Sequence, residues 1–333
     1  MTIRNLCQTP RVVSGVKGVV SGSRFDWLLF LLLSFCWGSS YLFIKIGVEA
    51  GLEPFTLVSL RLLTGFLLLA AVVAAARIAL PRDGATYGHL VVLGFFSVAL
   101  PFFLITWAEK SVDSALAATL TAPVPLFVIP IAALLLADER ITAYKVLGVA
   151  VGLVGVAILV GFDPATVGRT DLTPQLALLA ATVSYAFGGV YARRFVHGLS
   201  PMLPATFQVF FALIMSTSAA MLFEHPAAVV PSMPLEAIVS VVWLGLLGSG
   251  LAYLLFYRLL NRWGPTRISL VAYILPMWGI ALGFLVLAEP IHAGLLVGAA
   301  LILLGIALVN RDSTLALARS AGVRLKLVPP SID

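Results

Sequence analysis

Charged residues are what this sequence has least of. They make up only 11% of the 333 residues, whereas hydrophobic residues make up 61%. Soluble globular chains carry about 25% charged residues, so a water-soluble domain of this size could not cover its surface with so few. Cysteine is almost absent as well, with only Cys7 and Cys36, and none of the four histidines has a neighbour at metal-ligand spacing. The composition excludes a soluble enzyme, a disordered chain and a disulfide framework, and we expect neither a metal nor a cofactor.

Motifs for catalysis or for direct use of ATP are also missing. No Gly-rich loop ends in the Lys-Ser or Lys-Thr pair of a phosphate-binding site, so we do not expect ATP to drive the protein directly. No Ser-His-Asp set and no pair of carboxylates suited to acid–base catalysis is visible. We therefore predict that the protein is not an enzyme.

Long apolar runs dominate what the sequence does contain. About 20 apolar residues, at 1.5 Å rise each, cross a hydrocarbon core of about 30 Å. Short connections join most of the runs, and no segment has the alternating polarity of a membrane β-barrel strand. We predict an all-α polytopic membrane protein with ten transmembrane helices, near residues 26–47, 54–76, 87–107, 112–137, 141–161, 175–193, 201–223, 236–259, 266–288 and 291–310.

The net charge of +6 is explained by topology. A cytoplasmic N-terminus places every Lys and Arg on the cytoplasmic side except Lys45, Arg61, Lys110 and Arg169, while most acidic residues, Glu109 among them, fall outside. By the positive-inside rule we predict a multi-pass inner-membrane protein with both termini in the cytoplasm. The basic residues then attract anionic headgroups, so membrane lipid is an expected partner and nucleic acid is not.

The chain contains an internal repeat. Glycines of the fifth and tenth predicted helices match at an offset of 150 residues, and Arg61 matches Gln208 at an offset of 147. Each half has an odd number of spans, so the second half is expected to lie inverted in the membrane, a recurring plan of secondary transporters. We predict two inverted five-helix repeats and their flanks as follows: a tail at 1–25, repeats at 26–161 and 175–311, a linker at 162–174, and a tail at 312–333.

Short motifs recur in order along both halves of the chain. The first half contains Trp37-Gly38-Ser39-Ser40-Tyr41, Leu60-Arg61 and Asp138-Glu139-Arg140. The second half contains Ala252-Tyr253, Ser269-Leu270-Val271-Ala272-Tyr273 and Leu308-Val309-Asn310-Arg311. The order of these motifs resembles the EamA domain, which occurs in tandem in carriers of the drug/metabolite transporter superfamily. Covering residues 27–311, the resemblance implies a ten-helix inner-membrane carrier, often an exporter of amino acids, other metabolites or drugs. One departure is Ala288, where the family more often has Gly.

The small four-helix relatives of this superfamily exchange protons for drugs through a single buried carboxylate. The first predicted helix here has no acidic residue between Trp27 and Ile44. We therefore expect no such carboxylate, and the sequence leaves proton coupling open.

Arg61 is the residue whose position points most directly to a function. It lies seven residues past Pro54, about 10 Å into the second predicted helix. An ionisable group at that depth is costly unless it faces a cavity or a partner. The alternatives are snorkelling to the outer interface or a structural role at helix-end carbonyls. We expect Arg61 to line the substrate cavity and bind an anionic group, with Gln208 at the equivalent depth of the second half.

Aromatic residues form a second set of cavity candidates. Trp37 and Tyr41 lie four residues apart on one face of the first helix, and Tyr253 and Tyr273 lie in the eighth and ninth. Such side chains offer flat apolar area with one polar atom, which suits amphipathic ligands. The alternative is a place in the aromatic belt at the membrane interface.

Prolines inside the predicted helices are candidates for hinges or kinks. Pro101 interrupts the third helix, Pro123 and Pro125 lie in the fourth, and Pro276 lies in its repeat equivalent, the ninth. An interior proline frees a backbone carbonyl and bends the helix, and in lipid a freed carbonyl must be buried or face water. Static kinking for packing is the alternative.

Glu139 and Glu289 end the fourth and ninth helices at equivalent repeat positions. We expect each to cap a helix or to pair locally, Glu139 for example with Arg140 or Lys145. A gating salt bridge is the alternative.

Together these features predict a secondary transporter that exports a small metabolite such as an amino acid, by alternating access between the two halves. A multidrug or toxic-compound efflux carrier of the same fold stays open. A membrane-embedded enzyme for lipid-linked substrates would need clustered acidic or histidine residues at one interface, and a passive channel would need a continuous polar stripe. The sequence offers neither. Ten helices can enclose a cavity alone, so we expect a monomer that binds a small-molecule substrate.

Overall fold

The computed structural model consists of long helices packed side by side. It describes residues 24–135, 142–161, 171–196, 199–263, 268 and 271–310. Within these ranges there is no strand. The long helices are α1 Arg24–Glu49, α2 Pro54–Ala75, α3 Gly84–Ala108, α4 Ser114–Leu135, α5 Ala143–Val160, α6 Thr173–Phe195, α7 Met202–Phe223, α8 Leu235–Leu260, α9 Val271–Leu287 and α10 Ala293–Val309.

Each of the ten predicted spans coincides with one of these helices. Eight of them, α1 to α8, are long and apolar enough to cross a membrane, and α9 and α10 are shorter apolar helices of 17 residues each. A helix of 17 residues is still at the lower limit for spanning a bilayer. The prediction of an all-α polytopic membrane protein is confirmed.

Two acidic side chains tie the ends of distant helices together. Glu224, which follows α7, accepts hydrogen bonds from the backbone N–H groups of Phe55 and Thr56 at 2.8 and 2.7 Å. A carboxylate at a helix N-terminus satisfies donors that have no intrahelical partner and suits the helix dipole. Asp26, at the start of α1, pairs at 2.8 Å with Arg262, which lies in the last turn of the helical segment Ala252–Trp263 that completes α8. These contacts fix where α2 and α1 begin.

α5 and α10 form a close helix contact, because glycines let their backbones touch. A Cβ added at Gly148 would lie 2.6 Å from the carbonyl oxygen of Gly305, and one added at Gly155 would lie 2.7 Å from that of Gly298. Gly148 and Gly298 are repeat equivalents, as are Gly155 and Gly305. Replacing each glycine by its repeat equivalent therefore turns one contact into the other, and the two helices run antiparallel. This is the two-fold relation that inverted halves require.

A second pair of contacts repeats the same relation. Gly245 of α8 packs against Thr64 and the carbonyl oxygen of Arg61 in α2, and Gly94 of α3 packs against Gln208 and Phe211 in α7. Arg61 and Thr64 of α2 correspond to Gln208 and Phe211 of α7 at an offset of 147 residues. Gly94 of α3 corresponds to Gly245 of α8 at an offset of 151 residues. The internal repeat is thus a repeat of packing as well as of sequence.

α3 and α8 share one irregularity at equivalent positions. Each contains a π-helical segment, Phe95–Ala99 in α3 and Trp243–Leu251 in α8. Such segments often occur at functional sites in helices. The segment in α3 begins directly after Gly94, and the segment in α8 includes Gly245, so both lie where these helices pack tightly against α7 and α2.

The close approach of α5 to α10 predicts a difference between two matched substitutions. Gly155→Ala should lower the melting temperature of the detergent-solubilised protein by the equivalent of about 1–3 kcal/mol, because the added methyl group overpacks a backbone contact. Gly189→Ala, in α6, has no atom within 4 Å of the new Cβ and should leave the melting temperature equal or higher. Equal melting temperatures for the two variants would contradict the packing described here.

Candidate functional site

Arg61 is buried in the interior of the helix assembly, two turns after α2 begins. Its side chain is only 5% exposed. The Nε–H group donates to the Ser249 hydroxyl of α8 at 3.0 Å, and the guanidinium carbon lies 4.0 Å from the ring centroid of Phe102 in α3. The guanidinium therefore lies where α2, α3 and α8 meet, stacked on an aromatic face that attracts a cation.

Most of the hydrogen-bonding capacity of Arg61 is unused. A guanidinium has five N–H donors, and Nε is the one that has an acceptor among the described residues. The ion pairs formed within the described part of the chain do not include Arg61. A buried cation with free donors and no counter-ion is costly, so this group is suited to bind an anion that enters from outside the protein.

Three phenols surround Arg61 from three helices. Tyr185 of α6, Tyr253 of α8 and Tyr41 of α1 all lie within electrostatic range of the guanidinium. Each of the three is half-buried, and the Tyr41 hydroxyl bonds the Thr121 hydroxyl of α4 at 2.6 Å. We call Arg61, Phe102 and these three tyrosines the Arg61 cluster. It combines one positive charge with hydroxyls and flat apolar surface.

Trp37 extends the aromatic surface of this cluster. Its ring lies 6.3 Å from that of Tyr253 in an edge contact and 5.4 Å from that of Phe256. The structure thus brings together four residues that the sequence predicted as cavity candidates, namely Arg61, Trp37, Tyr41 and Tyr253. Their role in binding substrate stays a prediction.

The other two cavity candidates lie apart from these contacts. Gln208 is 5% exposed on α7, and its side chain forms no hydrogen bond with a described residue. Tyr273 is half-buried on α9 and packs, with Tyr41, against a core group that includes Ile44 and Leu120. Their predicted roles are untested by the geometry.

Glu109 is a buried residue that the sequence reasoning missed. It directly follows the last residue of α3, is completely buried, and neither carboxylate oxygen has a hydrogen-bond partner among the described residues. Lys45 donates instead to the main-chain oxygens of Glu109 and Val112, at 3.0 and 3.1 Å. Burial raises the pKa of the Glu109 carboxyl well above its usual range, and Lys45 opposes this rise. The sequence reasoning looked for a buried carboxylate in the first helix and overlooked Glu109, which follows the apolar run of the third.

Pro101 does not interrupt its helix. α3 is continuous across it, and the π segment Phe95–Ala99 comes immediately before. Pro101 has no N–H to offer the carbonyl of Phe96, which instead accepts a hydrogen bond from the Ser184 hydroxyl of α6 at 2.6 Å. Pro276 likewise lies buried inside a continuous helix, α9. Whether either residue acts as a hinge stays a prediction.

The prolines of α4 coincide with a real irregularity. α4 consists of two segments, Ser114–Thr121 and Val124–Leu135, separated by a turn at Ala122 and Pro123. Pro125 falls in the first turn of the second segment, where a missing N–H costs nothing. In α4, proline thus coincides with a break between two helical segments.

Glu289 caps a helix, but not its own. Its carboxylate accepts the backbone N–H groups of Ser114 and Ala115 at 2.7 and 3.0 Å, at the start of α4. Of the roles expected for Glu289, these hydrogen bonds are those of a helix cap, and the capped helix is α4 because its first N–H groups have no intrahelical partner. The preceding Ala288 has φ +54°, a left-handed conformation that favours glycine. Its predicted equivalent, Glu139, lies outside the described residues.

A separate cavity of about 640 Å³ opens between α2 and α7. Its lining is almost entirely apolar and includes Leu60, Leu63 and Met221. It contains no charged residue and does not include Arg61. Its chemistry suits lipid chains better than a polar metabolite.

Comparison with known proteins identifies a family whose members are similar to this chain. The EamA-like transporter family matches the chain twice, at residues 25–161 and 172–311. The chain belongs to the EamA-like transporter family. One EamA copy contains α1 to α5 and the other α6 to α10, so the predicted tandem arrangement is confirmed.

Several bacterial EamA-type relatives resemble the chain over most of its length. A Bacillus subtilis protein named uncharacterized transporter YoaV is 24% identical over 81% of this chain and 91% of its own. The uncharacterized inner membrane transporter YedA of Escherichia coli K12 is 28% identical over 78% and 84%. A probable amino-acid metabolite efflux pump of the same strain is 25% identical over 85% and 94%. This EamA protein is therefore a multi-pass membrane transporter.

A solved crystal structure shares the fold of this EamA transporter. It aligns with a TM-score of 0.62 and 24% identity, covering 89% of this chain and 100% of the solved one. At that identity the likeness concerns the fold alone.

The cap that Glu289 provides to α4 can be tested by an isosteric change. Glu289→Gln should lower stability by about 1–2 kcal/mol, because the charge-assisted hydrogen bonds to Ser114 and Ala115 become neutral ones. Glu236→Gln, in an exposed first-turn position of α8, is the matched control and should change little. Melting curves of both variants in detergent check this. A loss no larger for Glu289→Gln than for the control would contradict the capping role.

Proposed function

We propose that this EamA transporter exports small metabolites that carry a carboxylate, such as amino acids, across the inner membrane. The observation that carries the proposal is Arg61, which is 5% exposed and keeps its terminal N–H groups free of acceptors among the described residues. A carboxylate would accept two parallel, charge-assisted hydrogen bonds from these nitrogens. The bound substrate would supply the counter-ion that the buried guanidinium lacks.

The surroundings of Arg61 suit the rest of such a substrate. The half-buried phenols of Tyr41, Tyr185 and Tyr253 offer hydroxyls for polar groups and ring faces for an apolar side chain. The name of the Escherichia coli relative, a probable amino-acid metabolite efflux pump, supports the same substrate class.

Alternating access between the two halves is the mechanism that this arrangement supports best. Two similar bundles related by a two-fold exchange can rock in either direction at comparable cost. The Arg61 cluster draws on α1, α2 and α3 of one EamA copy and on α6 and α8 of the other. Rocking would therefore change the access to the cluster.

We propose a monomer with both termini in the cytoplasm, in keeping with the distribution of Lys and Arg.

Efflux of drugs is the second candidate function. The rings of Trp37, Tyr253 and Phe256 form an aromatic surface suited to apolar compounds. Cationic drugs would be repelled by the uncompensated charge of Arg61, so neutral or anionic compounds are the ones this alternative allows.

Counterflow in proteoliposomes tests the role of Arg61. Arg61→Gln should weaken exchange of amino acids at least about 30-fold, since losing one partner of a buried charge pair costs about 2 kcal/mol or more. Arg61→Lys keeps the charge without the planar pair of donors and should lose less.

The matched control is Arg82→Gln, which removes an exposed arginine between α2 and α3 and should not affect exchange. Undiminished exchange in a well-folded Arg61→Gln protein would overturn the proposal. If the protein exchanges neutral drugs but no compound that carries a carboxylate, the result would favour drug efflux.

A further inference from the structure

Glu109 forms, with Thr106, a second polar region along the face of α3 that meets Arg61. Phe102, Thr106 and Glu109 are spaced by four and three residues, so they share one face of the helix. All three are buried, and neither the Thr106 hydroxyl nor the Glu109 carboxylate has a hydrogen-bond partner among the described residues. Phe102 is the ring on which the Arg61 guanidinium stacks. Glu109 lies about 10 Å further along the helix axis.

Glu109 lies within electrostatic range of the Arg61 cluster. Arg61 and Glu109 act on each other, and both act on Tyr41 of α1. The other charges that act on Glu109 are Lys45 of α1 and Glu289, which follows α9. The Lys45 ammonium already binds two main-chain oxygens and lies 3.6 Å from Glu49. Lys45 thus does not neutralise the Glu109 carboxylate by direct contact.

Two further charged residues lie in the connection after α3: Lys110, which pairs with Glu53, and Asp113, which shares Glu289 and Lys45 with Glu109 as electrostatic neighbours. The described parts of the helices near α3 offer Glu109 no further charge. In α2 the one charged residue is Arg61, and α4 has none between Ser114 and Leu135. α6 packs antiparallel to α3, as shown by the hydrogen bond between His89 and Tyr191, so its Arg193 and Arg194 lie at the far end. A buried carboxylate with this little compensation is stable when neutral or when a cation binds to it.

We propose that Glu109 binds the ammonium group of a zwitterionic amino acid whose carboxylate is held by Arg61, and that a proton occupies Glu109 in the empty carrier. This inference rests on the proposed function, because Arg61 must hold the other end of the substrate. A divalent metal is a poorer occupant, since no group of three or more His, Cys, Asp or Glu suited to hold a metal occurs among the described residues.

Competition between proton and ammonium at one carboxylate yields exchange transport. On the cytoplasmic side the Glu109 carboxyl releases its proton as the zwitterion binds. After the substrate leaves on the outer side, the carboxylate takes up a proton there. One proton enters for each neutral zwitterion exported, so one positive charge moves inward per cycle, and the proton gradient drives export.

Two probes separate the roles of Glu109 and Arg61 in proteoliposomes that contain the purified full chain. They are the standard amino acid that the wild type exchanges best and the 2-hydroxy acid with the same side chain, which lacks the ammonium group. Glu109→Gln should reduce amino-acid exchange at least about tenfold and abolish accumulation driven by a pH gradient. Exchange of the hydroxy acid should change less than about twofold, because it depends on Arg61. Glu53→Gln, an exposed glutamate paired with Lys110 at 2.8 Å, is the control.

Binding measured by thermal shift gives a second readout. Below the pKa of Glu109, the affinity of the wild type for the amino acid should fall about tenfold for each unit by which the pH is lowered, because the proton competes with the ammonium. Because burial raises the pKa of the Glu109 carboxyl, this range begins at a higher pH than for an ordinary glutamate. In Glu109→Gln the affinity should not depend on pH. Glu109→Asp keeps a carboxylate and should retain gradient-driven transport with weaker affinity.

The outcomes distinguish this inference from the proposed function. Gradient-driven accumulation that persists in Glu109→Gln, or wild-type affinity that does not vary with pH, overturns the role of Glu109 while leaving Arg61 in place. Normal exchange of both probes by Arg61→Gln overturns the proposed function and, with it, this inference. If Glu109→Gln does not fold, the Glu109→Asp variant and the wild-type pH dependence decide.

Discussion

The absence of water from the membrane interior is the constraint on which the rest of this structure depends. Each buried polar group must find its partner within the protein, at a cost of several kcal/mol if it does not. The Phe96 carbonyl, freed by Pro101, receives the Ser184 hydroxyl, and the free donors at the start of α4 receive Glu289. Arg61 and Glu109 stand out against this, because their charged groups keep bonding capacity that the described residues do not fill. Such exceptions are expected where a ligand completes the set.

The two EamA copies share a scaffold, but they do not share the charges of the site. Gly94 and Gly245 pack equivalently against α7 and α2, and both α3 and α8 contain a π segment at this place. Yet the equivalent of Arg61 is Gln208, and the position that matches Glu109 in α8 is Leu260. Symmetry of the helices favours motion between two similar states, while a substrate with two different ends needs an asymmetric site. The chain meets both requirements by repeating its packing residues and not its charged ones.

The sequence predicted the spans closely because membrane helices depend on one local property, the length of an apolar run. It also led to Arg61, since a charge within such a run is visible without a structure. Glu109 could not be found this way: it follows its apolar run by one residue, and its burial depends on α1, which contributes Lys45 from 64 residues earlier in the chain. The target of Glu289 was missed for the same reason, because α4 lies 175 residues away. The burial and the partners of such residues depend on tertiary contacts, which local sequence patterns do not reveal.

The reciprocal glycine contact between α5 and α10 bears on the ancestry of the fold. Because Gly148 meets Gly305 while Gly155 meets Gly298, each copy presents the same surface to the other. A contact of this kind requires one surface only, used twice. A single five-helix chain inserted in both orientations could therefore have formed it with a second molecule of itself. With both copies joined in one chain, each half can carry charges that the other lacks.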